Sequence, residues 1–344
     1  MKTFTFAFLV GSLLVFSAWA KTSADPAHAS RGQRVAASSP AAGAKRPNAG
    51  PLLRTLFRIV HVFALVFMVL VVFALLFEKR FIFHPMRHPG GDWDAQGAAI
   101  EDCHFTSADG VRLHGWWLQA EGVADGPVLL WFHGNAGNIT HRAENLRLLA
   151  VHGLSALSVD YRGYGRSGGS PSERGIYLDG EAAYDYLTGE RGVAPGRIVS
   201  YGRSLGTSVA VHVALERPTA ALVLEGAMSS ARAMARRMMP LLPVWPFIRA
   251  RLDNVGRIRA IDVPVLVMHG ERDEIVPFGQ GRAVYDAAPE PKEFYRIEGA
   301  GHNDTYEVGG EAYWRALVGF CDGAVRREGK VENSPREMGD GPLQ

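Results

Sequence analysis

The hydrophobic pattern divides the chain into a sparsely charged front and a long remainder in which short apolar runs alternate with amphipathic stretches. Residues 4–20 form an apolar run that follows a single Lys2 and closes on Ala18, Trp19 and Ala20, the short core and small-residue site of a secretory signal. The same run reads equally as a helix that is never removed, so residues 1–20 are a signal-like or membrane segment. Residues 59–77 are the stronger signal, with no polar residue from Val62 onward. Extended back through Leu52, the run reaches the roughly 20 residues that a bilayer core requires. The pattern therefore predicts a transmembrane helix over 52–77, with Arg54, Arg58 and His61 gathered at one end, where their side chains reach the interface. Between the two apolar runs, residues 21–51 are rich in Ala, Ser, Pro and Gly and carry Lys21, Arg31, Arg34, Lys45 and Arg46 against Asp25 alone. That composition predicts a flexible basic linker.

Basic residues on the linker, with Arg54 and Arg58, outnumber Lys79, Arg80 and Arg87 beyond the helix. By the positive-inside rule the linker stays in the cytoplasm and the rest of the chain lies outside. Cleavage after Ala20 would reverse that topology. The charge count is the basis for expecting a single-pass membrane protein with an extracytoplasmic domain.

From about Glu101 the pattern predicts an α/β fold, a mostly parallel central sheet with helices on both faces. The expected strands are 111–119, 128–133, 155–160, 197–201, 221–225, 263–268 and 293–297, and the expected helices are 138–151, 172–187, 205–216, 280–287 and 311–324. These belong to one domain over 78–325, with a cap insertion at about 227–259. Residues 326–344 are polar, contain Gly and Pro, and are expected to be a disordered tail.

Composition removes several function classes. Among 344 residues there are 37 basic and 35 acidic ones, a net charge of +2, and 47% are hydrophobic. Such a balance excludes a disordered chain and gives no basic face for nucleic acid. Cys103 and Cys321 lack the paired spacing of a structural zinc site and are expected to be buried free thiols.

The chemistry is concentrated at a few loops. Gly202-Arg203-Ser204-Leu205-Gly206 falls between a strand and a helix, where Gly-x-Ser-x-Gly holds a nucleophilic serine in a turn too tight for side chains at its flanks. Such a serine needs a base and an acid from later loops. Of the three histidines after Ser204, His212 lies in the following helix and His269 closes a strand, which leaves His302 in a glycine-rich loop as the base. Asp273, in the loop after the strand 263–268, is the acid that would fix the imidazole tautomer, with Glu271, Glu274 and Glu225 as fallbacks. The developing oxyanion needs main-chain donors, expected at Leu205 and at Asn135, with Ala136 close behind. Gly163-Tyr164-Gly165-Arg166-Ser167-Gly168 matches a dinucleotide-binding fingerprint, but Asp185, at the distance where an acid should end a strand, falls in an amphipathic helix. A tight loop is the better reading.

Phe132 to Asn138, Asp160 to Ser167, Gly202 to Gly206, His269 to Asp273, and Gly301-His302 follow one another in an order that resembles the α/β-hydrolase superfamily. More narrowly they are similar to membrane-anchored serine hydrolases of the bud-emergence (Bem) type, which include depalmitoylating relatives. The resemblance covers roughly residues 100–325 and assigns Ser204 as nucleophile, Asp273 as acid and His302 as base. It implies cleavage of an ester or thioester through an acyl-serine, with no metal or organic cofactor, and a small-molecule or lipid-like acyl substrate. A small-peptide serine peptidase and a catalytically silent membrane scaffold are the other readings. In the cap, Met228, Met234, Met238, Met239, Trp245 and Phe247 are mixed with Arg232, Arg236, Arg237, Arg249, Arg251, Arg257 and Arg259, and Asp253 is the single acid. That mixture suits a cover that takes an acyl chain on one side and meets anionic head groups on the other.

Overall fold

A computed structural model describes residues 50–96 and 99–332. The signal-like segment 1–20, nearly all of the linker and the end of the tail lie outside the described residues. The chain divides into two compact units, Met1–Val60 and His61–Gln344. In the first, the described residues 50–60 are helical, and Thr55 Oγ1 donates to the Pro51 carbonyl at 3.0 Å. The helix α1 (Gly50–Ile82) buries none of its residues, and among the described residues it is the one helix long and apolar enough to cross a membrane. At ~1.5 Å per residue its 33 residues reach about 50 Å, more than a hydrocarbon core needs.

The second unit is built on one eight-stranded sheet. Its strands are β1 (Glu101–Thr106), β2 (Arg112–Leu118), β3 (Val128–Phe132), β4 (Ser155–Asp160), β5 (Ile198–Arg203), β6 (Ala221–Glu225), β7 (Val265–Gly270) and β8 (Lys292–Ile297), in the order β1-β2-β4-β3-β5-β6-β7-β8. Only β2 runs against its neighbours, and the pairs from β4 through β8 are parallel. The central strands are mostly apolar because both faces are covered, with Ser155, Ser158, Asp160 and Ser200 buried among the apolar residues. Along β3, Val128, Leu130 and Phe132 enter one core while Leu129 and Trp131 enter the other. The first core is covered by α3 (Glu173–Gly189) and α4 (Gly206–Glu216), the second by α2 (Ala143–Val151) and the last helix, α8 (Thr305–Glu332). The cap contains α5 (Ala231–Met238) and the single turn α6 (Asn254–Arg257), and α7 (Phe278–Ala287) follows β7. Asp253, the cap's lone acid, accepts from the Gly256 N–H at 2.9 Å and so caps α6. Cys103 and Cys321 are buried and free.

Three elements depart from the sequence expectation for physical reasons. β1 was not expected, because only Cys103 and Phe105 of its residues turn inward and an edge strand of this composition carries no apolar run. The helix expected from residue 138 begins as a short 3-10 turn, since Asn138 caps it by accepting from the Thr140 N–H at 3.1 Å. α8 reaches back to Thr305 through a non-helical Gly310 (φ 51°, ψ −143°) and runs forward to Glu332, past Arg326 where a disordered tail was expected. Its buried stripe of Tyr313, Trp314, Leu317, Cys321 and Ala324 nucleates the helix, and each further residue then adds one hydrogen bond.

Candidate active site

Ser204 sits between β5 and α4 with φ of 52°, a left-handed angle that a non-glycine residue holds only when its surroundings enforce it. Those surroundings are visible. A Cβ on Gly202 would lie 2.4 Å from the Gly206 carbonyl oxygen, and one on Gly206 would lie 2.0 Å from that of Phe132. The Ser204 N–H donates to the Glu225 carbonyl at 2.9 Å, and its own carbonyl accepts from the Thr207 N–H at 3.0 Å and the Thr207 hydroxyl at 2.6 Å. The strained residue is thereby tied to the end of β6 and to the first turn of α4. Its side chain is half-buried, and its hydroxyl has no hydrogen-bond partner among the described residues.

Asp273 and His302 come together from loops after β7 and β8. His302 Nδ1 lies 2.7 Å from Asp273 Oδ2, with both side chains buried. The other carboxylate oxygen accepts from the Ile275 N–H at 2.9 Å and the Val276 N–H at 2.7 Å. Burial by itself raises the Asp273 carboxyl; hydrogen bonds with His269 and His302 and the Val276 amide more than reverse this, and hold it well below the usual carboxylate range. Gly226 closes the gap to the serine turn. Its N–H donates to the Met268 carbonyl at 3.0 Å, and a Cβ there would meet the His302 ring at 3.3 Å and Asp273 Oδ2 at 3.6 Å.

The fallback acids have other duties. Glu225 lies fully buried under the site and accepts hydrogen bonds from Tyr201, Thr305 and Tyr313, the last at 2.8 Å, while its carboxylate stands 3.4 Å from Arg203 Nε. Burial pushes this carboxyl up, and the Arg203 charge and the three hydroxyls bring it back below its ordinary value. Arg203 in turn donates to the His302 carbonyl at 2.6 Å, so the network holds the histidine loop from beneath. Glu271 pairs with the exposed Arg296, and Glu274 accepts from the His302 N–H at 3.4 Å. Glu225→Gln is expected to lower the unfolding free energy by about 3 kcal/mol, because it leaves a buried guanidinium without its counter-charge. Urea titration measures that loss, and serine-directed labelling of the folded variant should persist; loss of labelling would move the acid from Asp273 to Glu225.

The histidines set aside are occupied as well. His212 stacks on Tyr177 and is held between Glu181 (2.8 Å) and Arg257 (2.6 Å). His269 is buried, contacts the Val276 carbonyl at 2.9 Å, and lies 3.4 Å from Asp273 Oδ2. The sequence reading missed it as a neighbour of the acid; its place four residues before Asp273, at the end of a buried strand, was the available signal.

The loop after β3 passes directly beside the serine, since a Cβ on Gly134 would lie 3.5 Å from Ser204 Cβ. The Asn135 and Leu205 N–H groups have no acceptor among the described residues. The Asn135 side chain has a task that the sequence did not reveal. Its oxygen accepts from the His84 N–H at 3.0 Å and the Tyr164 hydroxyl at 2.8 Å, and its NH2 donates to the Ile82 carbonyl at 2.5 Å. It thus fastens this loop to the residues that emerge from α1.

The Gly163–Gly168 loop is no phosphate cradle. The N–H groups of Gly163, Tyr164, Gly165, Ser167 and Gly168 all donate to main-chain carbonyls. A Cβ on Gly165 would strike Asp160 Oδ2 at 1.8 Å, and Asp185 pairs with Arg217 at 3.0 Å. Among the described residues no group of His, Cys, Asp or Glu is arranged to hold a metal ion.

Comparison with known proteins bears on the family and the fold. Residues 125–253 match the family described as serine aminopeptidase, S33. The alpha/beta hydrolase domain-containing protein WAV2 of Arabidopsis thaliana is 35% identical over 242 residues, which are 64% of this chain and 78% of that one. Protein bem46 of Schizosaccharomyces pombe is 31% identical over 234 residues, 64% of this chain and 76% of the relative. Of solved structures, the Pyrococcus furiosus esterase Pf2001 shares the fold with a TM-score of 0.57 at 23% identity, covering 69% of this chain and 97% of that one.

Proposed function

Because the chain belongs to the α/β-hydrolase superfamily and is related within it to the Bem-type proteins, we propose that it is a membrane-anchored serine hydrolase that cleaves ester or thioester bonds of lipid-like or acylated substrates. The observation that carries this reading is the buried His302–Asp273 pair at 2.7 Å, on a loop whose His302 carbonyl is held at 2.6 Å by Arg203, the residue before a serine at positive φ. In this reading His302 takes the Ser204 proton as the hydroxyl attacks the acyl carbon. The N–H groups of Leu205 and Asn135 receive the oxyanion, and the leaving alcohol or thiol departs with the proton. Water activated by the same imidazole then releases the acid from the acyl-serine. The esterase activity named for Pf2001 favours ester substrates. The description of the matched family as serine aminopeptidases favours a second reading, hydrolysis of small peptides, which the same triad could perform.

Fluorophosphonate labelling of the full chain, competed by a panel of esters, thioesters and aminoacyl amides of graded chain length, tests both readings. Competition by long-chain esters or thioesters supports the first, competition by aminoacyl amides alone supports the second, and absence of labelling overturns both. For the anchor, the full chain is expected to stay with membranes in alkaline carbonate, whereas a chain starting near Phe81 should be far more soluble. Release of the full chain by carbonate would remove α1 as an integral helix. The charge count puts the catalytic domain outside the cytoplasm, and a C-terminal reporter active only there checks that side.

A further inference from the structure

The cap contains a stretch that the hydrolytic reading leaves unused. Residues 239–248 read Met-Pro-Leu-Leu-Pro-Val-Trp-Pro-Phe-Ile, with no charged residue. Val244 is buried, but the rest of the stretch is exposed or only partly covered: Leu241 is 96% exposed and Phe247 47%, and Met238 beside them is 68% exposed. Arg236 and Arg237 precede the stretch and Arg249 and Arg251 follow it, and the Arg236 guanidinium lies over the Trp245 ring at 6.0 Å. Its backbone also makes few demands on water. Pro240, Pro243 and Pro246 have no N–H, and the N–H groups of Met239, Leu242, Val244, Phe247 and Ile248 donate to carbonyls of Ala235, Met239, Leu242, Val244 and Trp245. Of the ten residues, that leaves the N–H groups of Leu241 and Trp245 without an acceptor among the described residues, and a segment with few such groups enters hydrocarbon at lower cost.

A separate observation gives the depth. Phe247 packs edge-on against Phe67 of α1, ring centroids 6.2 Å apart, and Glu78 near the end of α1 accepts from the Arg249 and Ala250 N–H groups, both at 2.7 Å. Phe67, Val71, Ala74, Leu75, Glu78 and Ile82 are the partly buried positions of this part of α1, and their spacing puts them on one face. Phe67 lies about 16 Å from Glu78 at ~1.5 Å rise per residue, with only apolar residues between them. A bilayer crossed by α1 ends near Glu78, Lys79 and Arg80, so a side chain seated against Phe67 lies below that boundary. Glu173 accepts from the next two N–H groups, Arg251 and Leu252, at 2.8 Å each, so two carboxylates hold four successive amides where the stretch returns to the domain.

We propose that residues 239–248 are a membrane-inserting tip of the cap, lying in the hydrocarbon beside α1 with the flanking arginines at anionic head groups, so that an acyl chain reaches the cap from within the bilayer. The proposal rests on the reading of α1 as a membrane anchor. The occupant of the exposed apolar surface is the lipid bilayer itself, matched in polarity along the tip and in charge at its base.

The test uses the full chain in vesicles of phosphatidylcholine and phosphatidylglycerol. A fluorophore on Leu241→Cys is expected to be quenched by lipids brominated on their acyl chains as strongly as one on Val66→Cys in α1, while one on Val151→Cys, on the exposed surface of α2, is not. The native thiols are buried and leave the label to the introduced site. Quenching at Val66 without quenching at Leu241 overturns the proposal and leaves the anchor standing. Quenching at neither means that α1 is not in the membrane, and the proposal falls with it. Leu241→Asp should raise KM for a long-chain ester carried in vesicles on the order of tenfold, as expected for an acidic side chain moved into hydrocarbon, with kcat on a short soluble ester unchanged. Equal effects on both substrates would overturn the route through the bilayer.

Discussion

Ser204→Ala is expected to abolish fluorophosphonate labelling and to lower kcat for ester hydrolysis by a factor on the order of 10⁶, the size of effect seen when a triad nucleophile is removed. The variant should fold, because the features that hold the turn are backbone ones: the Ser204 N–H to the Glu225 carbonyl, and the carbonyl to Thr207. Alanine accepts the positive φ no worse than serine does, so the melting temperature should move little. The remaining rate would come from binding and from the Leu205 and Asn135 donors. Wild-type labelling of Ser204→Ala would sink the assignment of the nucleophile. His302→Ala is expected to be nearly as damaging, since the serine then has no base.

Asp273→Asn should cost a factor on the order of 10⁴ in kcat while the protein stays folded, because an amide facing the imidazole favours the wrong tautomer. The substitution isolates that effect unusually well. Asp273 Oδ1 accepts from the Ile275 and Val276 N–H groups, contacts that an asparagine oxygen keeps, while Oδ2 faces His302 and His269 and is where the amide nitrogen would enter. A near wild-type rate would dismiss Asp273 as the acid. The acid dependence carries a definite sign. Asp273 has a depressed folded value, so its contribution to stability is complete above the unfolded carboxylate value of roughly 3.9 and is lost only as pH falls through the lower folded value. An acid limb in kcat/KM nearer neutrality therefore belongs to another group, and the Asp273 contribution to the unfolding free energy should hold constant from pH 8 down to about pH 5.

What the sequence made legible follows from burial. β3 through β7 are covered on both faces, so they stand out as largely apolar runs, broken in β4 and β5 only by small or terminal polar residues. The serine turn was legible because its glycines answer to backbone contacts within a few residues and to the adjacent β3. β1 was not legible, because an edge strand with Glu101 and Asp102 at its start shows only Cys103 and Phe105 to the core. The same limit applies to polar side chains acting at long range. Glu225 reads as a spare acid at a strand end until Arg203, Tyr201, Tyr313 and Thr305 are seen around it, and Asn135 reads as an oxyanion donor alone until its side chain is found on Ile82 and His84. Hydrogen bonds across tens of residues leave no periodicity, and sequence pattern cannot register them.

The Asn135 clamp has a mechanical consequence. Force applied along α1, by bilayer thickening or by a pulling experiment on the N-terminal side, would be shared between the Glu78 contacts with Arg249 and Ala250 and the main-chain groups of Ile82 and His84, which bond the Asn135 side chain. The loop bearing the Asn135 N–H thus takes part of that load. Tension of this kind should slow turnover, and Asn135→Ala, which keeps the N–H and removes the clamp, should make turnover less sensitive to the pull.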